Sequence, residues 1–274
     1  MNRFFKMIAC LSLSTQLVTN CGISMDNVIQ LNLGSRTVLP FVTMLILNAN
    51  FDTNALRIDD QRFIDFVTAE AKLITDQDIK FYKAPLTTGM ITFPGNRVVV
   101  NAAYYDVIIN IFDKISNQGI DALTPQEHAD LKALKFIVQH EAAHCKKHHI
   151  YKKVIVNTII GGSLWSAYLA LKDKIDSTWK RVGALVLFGS ISSGLTNAYS
   201  RFTEREADSL VAGVEPCEGA VAFFDDLLKR YTPENNYLMY MLSEGYPTTH
   251  PALSERKRTF QDRVQKEYGH CSVE

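Results

Sequence analysis

The 274-residue chain carries 29 basic and 29 acidic side chains, so its formal charge is zero and it lacks the basic field that a nucleic-acid partner requires. Its length suits one large domain or two small ones with a sizeable core. A hydrophobic share of 47% is near the soluble average, so any membrane-seeking content is local.

The start is unlike fold material. "MNRFFK" is short and basic, "MIACLSLSTQLV" is apolar, and "TNCG" is a polar exit. This is the layout of a secretory signal over residues 1–20, against the plainer reading of a first helix. The pair Cys21-Gly22 resembles a bacterial lipoprotein cleavage site, although Asn20 stands where such sites carry a small residue. Export would place the protein in the extracytoplasmic cell envelope, where Cys217 and Cys271 could pair; the alternative is buried free thiols. Residues 22–54 form an N-terminal segment of no evident role. Within it, "TVLPFVTMLILN" is too short to span a bilayer.

One large domain is expected over residues 55–270. "NALRIDDQRFIDFVTAEAKLI" (54–74) places Leu56, Phe63, Phe66, Val67, Leu73 and Ile74 at helical spacing. "IKFYKAP" and "GMITFPGNRVVVN" read as short strands with a turn at "FPGN", and the β-branched run 98–100 supports the last. "AAYYDVIINIFDKI" is helical again. Thr124, Pro125 and Glu127 then supply an N-cap, a proline at the first helical position and an acid in the first turn. That helix is expected to run on through "KALKFIVQHEAAHCKKHH", which contains no Gly or Pro.

Two uncharged stretches follow, Val154–Leu171 and Val182–Ser200, each long enough to cross a membrane. Their small residues suit close packing of membrane helices and equally suit two buried or surface-lying helices. The lysines flanking the hairpin argue for opposite orientations, so charge does not set its topology. "EGAVAFFDDLLKRY" and "ALSERKRTFQDRVQKEY" close the chain as amphipathic helices, joined by "TPENNYLMYMLSEGYPTTHP".

The chemistry begins at His140, Glu141 and His144, an HExxH pattern. Positions i and i+4 share a helical face, so both imidazoles can reach one metal ion, and Glu141 between them can move a proton from an attacking water to a leaving amine. Zinc suits two histidines and an oxygen ligand with one open position. A third ligand is still needed. HExxHxxGxxH is excluded, because Lys147 stands three residues after His144 and no glycine is near. His148 would lie a further turn along, about 5 Å on, and reads as a surface residue. In "YSRFTEREADSL", Glu204 and Asp208 share a face: Glu204 could bind the metal and Asp208 could accept the far N–H of a ligand histidine. Glu206 falls about 200° around that helix from Glu204 and is expected to point away.

HEAAH, then SRFTEREAD, then TTHPALSER together resemble metallopeptidase family forty-eight, the gluzincin family of the HtpX heat-shock protease, the CAAX prenyl endopeptidase and periplasmic quality-control proteases. Ser200, Arg201, Glu204, Ala207 and Asp208 fill its second motif, and His250, Pro251 and Arg256 its third. The resemblance covers roughly residues 55–260. Ala143 stands where the family usually has glycine.

The resemblance implies a zinc-dependent endopeptidase for protein or peptide substrates, in envelope quality control, with one Zn2+ per chain. It implies His140, His144 and Glu204 as ligands, Glu141 as general base and acid, Asp208 as orienter and His250 as stabiliser of the oxyanion. Arg256 is read as structural, His149 as a helix-end cap, and Cys145 carries no assigned chemistry. The expected fold is mainly α with a small β-sheet (α+β), a zincin-like domain with the apolar hairpin 154–200 inserted between the zinc-ligand helices. The strand before the zinc helix would pair with an extended substrate. A membrane-tethered, zinc-bound chaperone or scaffold without proteolysis is the alternative.

Overall fold

The computed structural model describes residues 56–84, 90–232 and 250–269. The readings of residues 1–20, Cys21, 22–54, Cys271 and most of the 232–251 connection lie outside those residues. In chain order the elements are β1 (Leu56–Arg57), α1 (Gln61–Lys72), β2 (Lys80–Ala84), β3 (Met90–Phe93), β4 (Arg97–Asn101), α2 (Ala102–Gln118), α3 (Pro125–Lys146), α4 (His149–Leu171), α5 (Thr178–Leu210), α6 (Val214–Arg230) and α7 (Leu253–Tyr268). The protein is mainly helical with one small mixed sheet, an α+β arrangement. Contacts divide the chain into two compact units, the hairpin residues 154–196 in one and residues 46–153 with 197–274 in the other.

The second unit is built around α3. Its start follows from local chemistry: Thr124 Oγ1 accepts from the Glu127 N–H at 3.2 Å while Glu127 Oε2 accepts from the Thr124 N–H at 2.6 Å, a closed capping box with Pro125 just inside. From Phe136 to Cys145 every residue is buried, so this half of α3 has no solvent face. It packs on α6, and α6 on α7. Phe136, Phe224 and Phe260 meet at ring separations of 5.2–6.2 Å. Gly219 permits the approach of α6, because a Cβ there would stand 2.0 Å from the Lys132 carbonyl oxygen.

The sheet runs in the order β1-β2-β4-β3. β2 and β4 are parallel, β3 and β4 antiparallel, with Met90 opposite Val100 and Phe93 opposite Arg97. The "FPGN" turn forms with Gly95 and Asn96 at positive φ (79° and 55°), which glycine and asparagine adopt at low cost. β3 is an outer strand and packs against α3.

Two expectations are corrected. Leu56 is not part of the first helix. Asp60 caps α1 by accepting from the Phe63 N–H, and Leu56 lies ahead of it in β1, 67% exposed. The helix carrying His140 and His144 also does not run on to His149. α3 ends at Lys146 and α4 begins at His149, with His148 between them at φ 52°. A non-glycine residue in this left-handed region ends a helix without any Gly or Pro to announce it.

In the hairpin unit, Tyr168 is fully buried among Leu164, Trp165, Ile175, Val182, Leu185 and Phe188. Thr196 Oγ1 donates to Asn157 Oδ1 at 3.1 Å. Among the described residues of this unit, most other apolar side chains are exposed, Ile159 at 61% and Leu187 at 56% among them.

Candidate metal centre

α3 delivers His140, Glu141 and His144 from its buried half, and the last turns of α5 deliver Glu204 and Asp208. His140 Nε2 and His144 Nε2 lie 3.0 Å apart. Glu204 closes the triangle, Oε2 at 3.3 Å from His140 Nε2 and Oε1 at 3.6 Å from His144 Nε2. One donor atom from each residue lies within 4.8 Å of the others, and all three residues are buried. Ligand atoms about 2.0–2.1 Å from a tetrahedral ion stand about 3.4 Å apart. The donor set therefore fits a small divalent cation in identity, number and spacing, and two neutral imidazoles with one carboxylate give it a single negative charge.

Behind His140, Asp208 Oδ1 stands 2.8 Å from Nδ1, at hydrogen-bonding distance though not in aligned geometry. Asp208 is gripped by Arg256, whose Nε and terminal nitrogen each donate at 2.7 Å. The guanidinium also rests 4.5 Å above the Phe224 ring. Burial opposes the charge on Asp208, but Arg256 and His140 outweigh it and hold the carboxyl near 2. Burial likewise opposes a charged His140, yet Asp208 and Glu204 lift it to about 9. Glu204 is held well below the usual carboxylate range, its desolvation overcome by the two histidines and His250. His144 is driven well down, by burial first and by the His140 charge second.

Glu141 faces β3. Thr92 Oγ1 is 2.5 Å from Glu141 Oε2 and 3.1 Å from the Glu141 carbonyl oxygen. Burial raises the Glu141 carboxyl. A cleft of about 390 Å³ opens over these groups, walled by Met90, Ile91, Phe136 and Phe223 on apolar sides and by His250 and Lys153 on polar ones. His250 is exposed, with Nε2 3.8 Å from Glu204 Oε2. Lys153 Nζ is 3.6 Å from Glu204 Oε1. Cys145 is buried, and burial raises its thiol to about 12, which disfavours the thiolate. Cys217 is buried as well.

The six expected site residues thus gather in one place. His148 is exposed. His149 is not an end cap: it is 1% exposed, its Nδ1 lies 2.7 Å from His144 Nδ1, and its Nε2 lies 2.9 Å from Glu206 Oε2. Glu206 does point away from the triangle, as its angle on the helix requires, but its side chain meets His149. Thr92 and Lys153 were not foreseen. A threonine in a strand and a lysine in a basic run carry no signal of their own.

The profile of Peptidase family M48 matches residues 86–264, which takes in β3, the whole buried half of α3, the end of α5 and Arg256. No curated protein and no solved structure gives a significant match to the chain. The match spans well over half of the sequence, so the chain belongs to peptidase family M48, a family of metal-dependent peptidases.

Proposed function

We propose that the protein is a zinc-dependent endopeptidase in which His140, His144 and Glu204 hold the ion and Glu141 moves the proton. The observation that carries this reading is the buried triangle of donor atoms at 3.0, 3.3 and 3.6 Å with a buried carboxylate directly beside it. Zinc, when bound there, supplies the Lewis acidity that polarises a peptide carbonyl and lowers the pKa of water.

The remaining work falls to the chain. An extended peptide adds to the outer strand β3, where main-chain pairing aligns it along the cleft. Glu141 takes the proton of the attacking water and delivers it to the departing amine. Burial favours the protonated acid between those two steps, and the Thr92 hydroxyl fixes the carboxylate to the strand that carries the substrate. Asp208, anchored by Arg256, orients the His140 ring. His250, at the exposed side of the cleft, donates to the oxyanion as it forms.

The wider reading keeps a signal peptide over 1–20, a peptidase domain over 55–270, membrane association through the hairpin 154–200, and an extracytoplasmic site of action in envelope protein quality control, with Cys21 as a lipidation site. Support for the membrane comes from two helices, His149–Lys174 and Trp179–Leu210, with mean hydropathy of 1.6 and 1.2 over their most apolar windows and only 11% and 6% of those windows buried.

Glu141→Gln is the decisive variant. It is expected to retain zinc, since no ligand is lost, and to lose chelator-sensitive cleavage of an unfolded protein such as casein. Cleavage at the wild-type rate by this variant would sink the mechanism.

A further inference from the structure

The family match and the donor triangle leave two contacts of a buried histidine without a role. His144 Nε2 faces His140 and Glu204, while its other ring nitrogen, Nδ1, lies 2.7 Å from His149 Nδ1. His149 Nε2 in turn lies 2.9 Å from Glu206 Oε2. The two imidazoles meet edge to face, with centroids 4.8 Å apart and planes at 74°. His149 is 1% exposed, which shields its contact with His144 from water, while the Glu206 side chain at the far end is 25% exposed. Glu206 is braced from its other oxygen by Lys147 at 3.1 Å.

Proton counting gives this chain one direction. A neutral imidazole has one N–H and one lone pair. If His144 turns its Nε2 lone pair to a cation, its proton sits on Nδ1 and donates to His149 Nδ1. The proton of His149 must then sit on Nε2, where the Glu206 carboxylate accepts it. The reverse assignment would set two lone pairs against each other at His149 Nε2 and Glu206. An acceptor-only group at the far end thus selects the His144 tautomer that ligates through Nε2. The geometry depends on the break between α3 and α4. On a continuous helix His149 would lie about 140° around from His144. The left-handed His148 returns it to the same side.

We propose that His149 and Glu206 are positioning residues for the metal, a two-step hydrogen-bond relay that fixes the tautomer and ring orientation of His144 and tightens its hold on a divalent cation. α5 then serves the centre twice, through Glu204 directly and through Glu206 by way of His149. The proposal rests on the assignment of His140, His144 and Glu204 as ligands.

The test is zinc affinity, measured on the full detergent-purified chain by competition with a chromophoric chelator. His149→Phe, which keeps ring volume and removes both nitrogens, is expected to raise the zinc dissociation constant 10- to 100-fold. Glu206→Ala should raise it by a smaller factor. His149→Gln and Glu206→Gln, which keep an acceptor in place, should recover most of the affinity, a rescue that a space-filling role would not give. The visible absorption of the cobalt-loaded protein should change with His149→Phe and be restored by His149→Gln. Arg205→Ala, on the same helix turn but exposed and paired with Glu255, should leave zinc affinity unchanged. The relay is overturned if His149→Phe and Glu206→Ala, both folded, bind zinc within twofold of wild type. Should His149→Phe fail to fold, Glu206→Ala decides alone, and wild-type affinity there overturns the proposal. Zinc bound tightly by a wild-type protein that cleaves no peptide would end the protease reading and leave the relay standing. Zinc bound no better by wild type than by His144→Ala would end both.

Discussion

The buried half of α3 and the apolar hairpin invert one another. Between Phe136 and Cys145 the chain hides Gln139, His140, Glu141 and His144, none more than 9% exposed. Between residues 154 and 196 it shows Ile155, Ile159, Val186, Leu187 and Leu195 at 45–61% exposure. Each arrangement is unfavourable in water by itself: buried polar groups lose solvation, and a large apolar surface gains nothing from it. The first is compensated group by group. Gln139 bonds Glu70 and the Ala212 N–H, Glu141 has Thr92, His144 has His149, and Asp208 behind His140 has Arg256. Among the described residues the second packs inward at the cluster around Tyr168, and the proposed membrane association would compensate the rest. The two regions differ in how far the described residues compensate their own unfavourable exposure or burial.

The largest effect is expected where compensation is removed from the buried side. Arg256→Met keeps an unbranched apolar stem but leaves Asp208 buried without its cation. Breaking a buried pair from one side costs about 3–5 kcal/mol. The same change at Arg205, whose pair with Glu255 is 57% and 43% exposed, should cost about 1 kcal/mol or less. Thermal or denaturant unfolding of the two variants gives the comparison directly. Equal losses would mean that the buried network is not what holds α3, α5 and α7 together.

A second effect separates the hairpin from ordinary surface. Ile159 is 61% exposed near the middle of α4. In water, Ile159→Arg should change stability by no more than about 0.5 kcal/mol. In the centre of a membrane-spanning helix it should cost about 2.5–3.5 kcal/mol of insertion. Carbonate extraction of membranes from cells expressing each form reads the difference: wild type stays in the pellet and Ile159→Arg shifts to the supernatant. Quantitative release of the wild type would remove the membrane reading of the hairpin.

Much of this was legible beforehand, and the failures have a common cause. The capping box at Thr124 and Glu127, the "FPGN" turn and the i, i+4 pairs His140/His144 and Glu204/Asp208 are local patterns, set by helical or turn geometry within five residues. They appear where the sequence places them. The connection of His149 to Glu206 spans 57 residues and depends on one backbone torsion at His148, which carries no residue-type signal. A continuous helix turns His149 away, so reading it as a cap followed correctly from a helix that is in fact broken. Thr92 is similar. Its role comes from the packing of β3 on α3, and strand periodicity says which face it occupies but not what lies opposite. The misplacement of Leu56 arose from following apolar spacing past Asp60, whose capping bond to Phe63 marks the true start of α1.

The smallest effect lies at the exposed beginning of the helix whose buried end forms the site. Thr124→Ala removes one half of the capping box and should cost about 1 kcal/mol. Its partner adds a pH dependence. Glu127 bonds Lys114 at 2.7 Å and the Thr124 N–H at 2.6 Å, and these contacts hold its carboxyl at about 2, below its ordinary 4.5. A depressed folded-state pKa contributes stability that is fully present above 4.5 and is lost as pH falls toward 2. The difference in Tm between wild type and Glu127→Gln should therefore be constant above pH 5 and shrink steadily below 4.5. A difference that does not narrow in that window would show that the bonds of Glu127 to Lys114 and Thr124 do not depend on its charge. The cap would then act through hydrogen bonding alone.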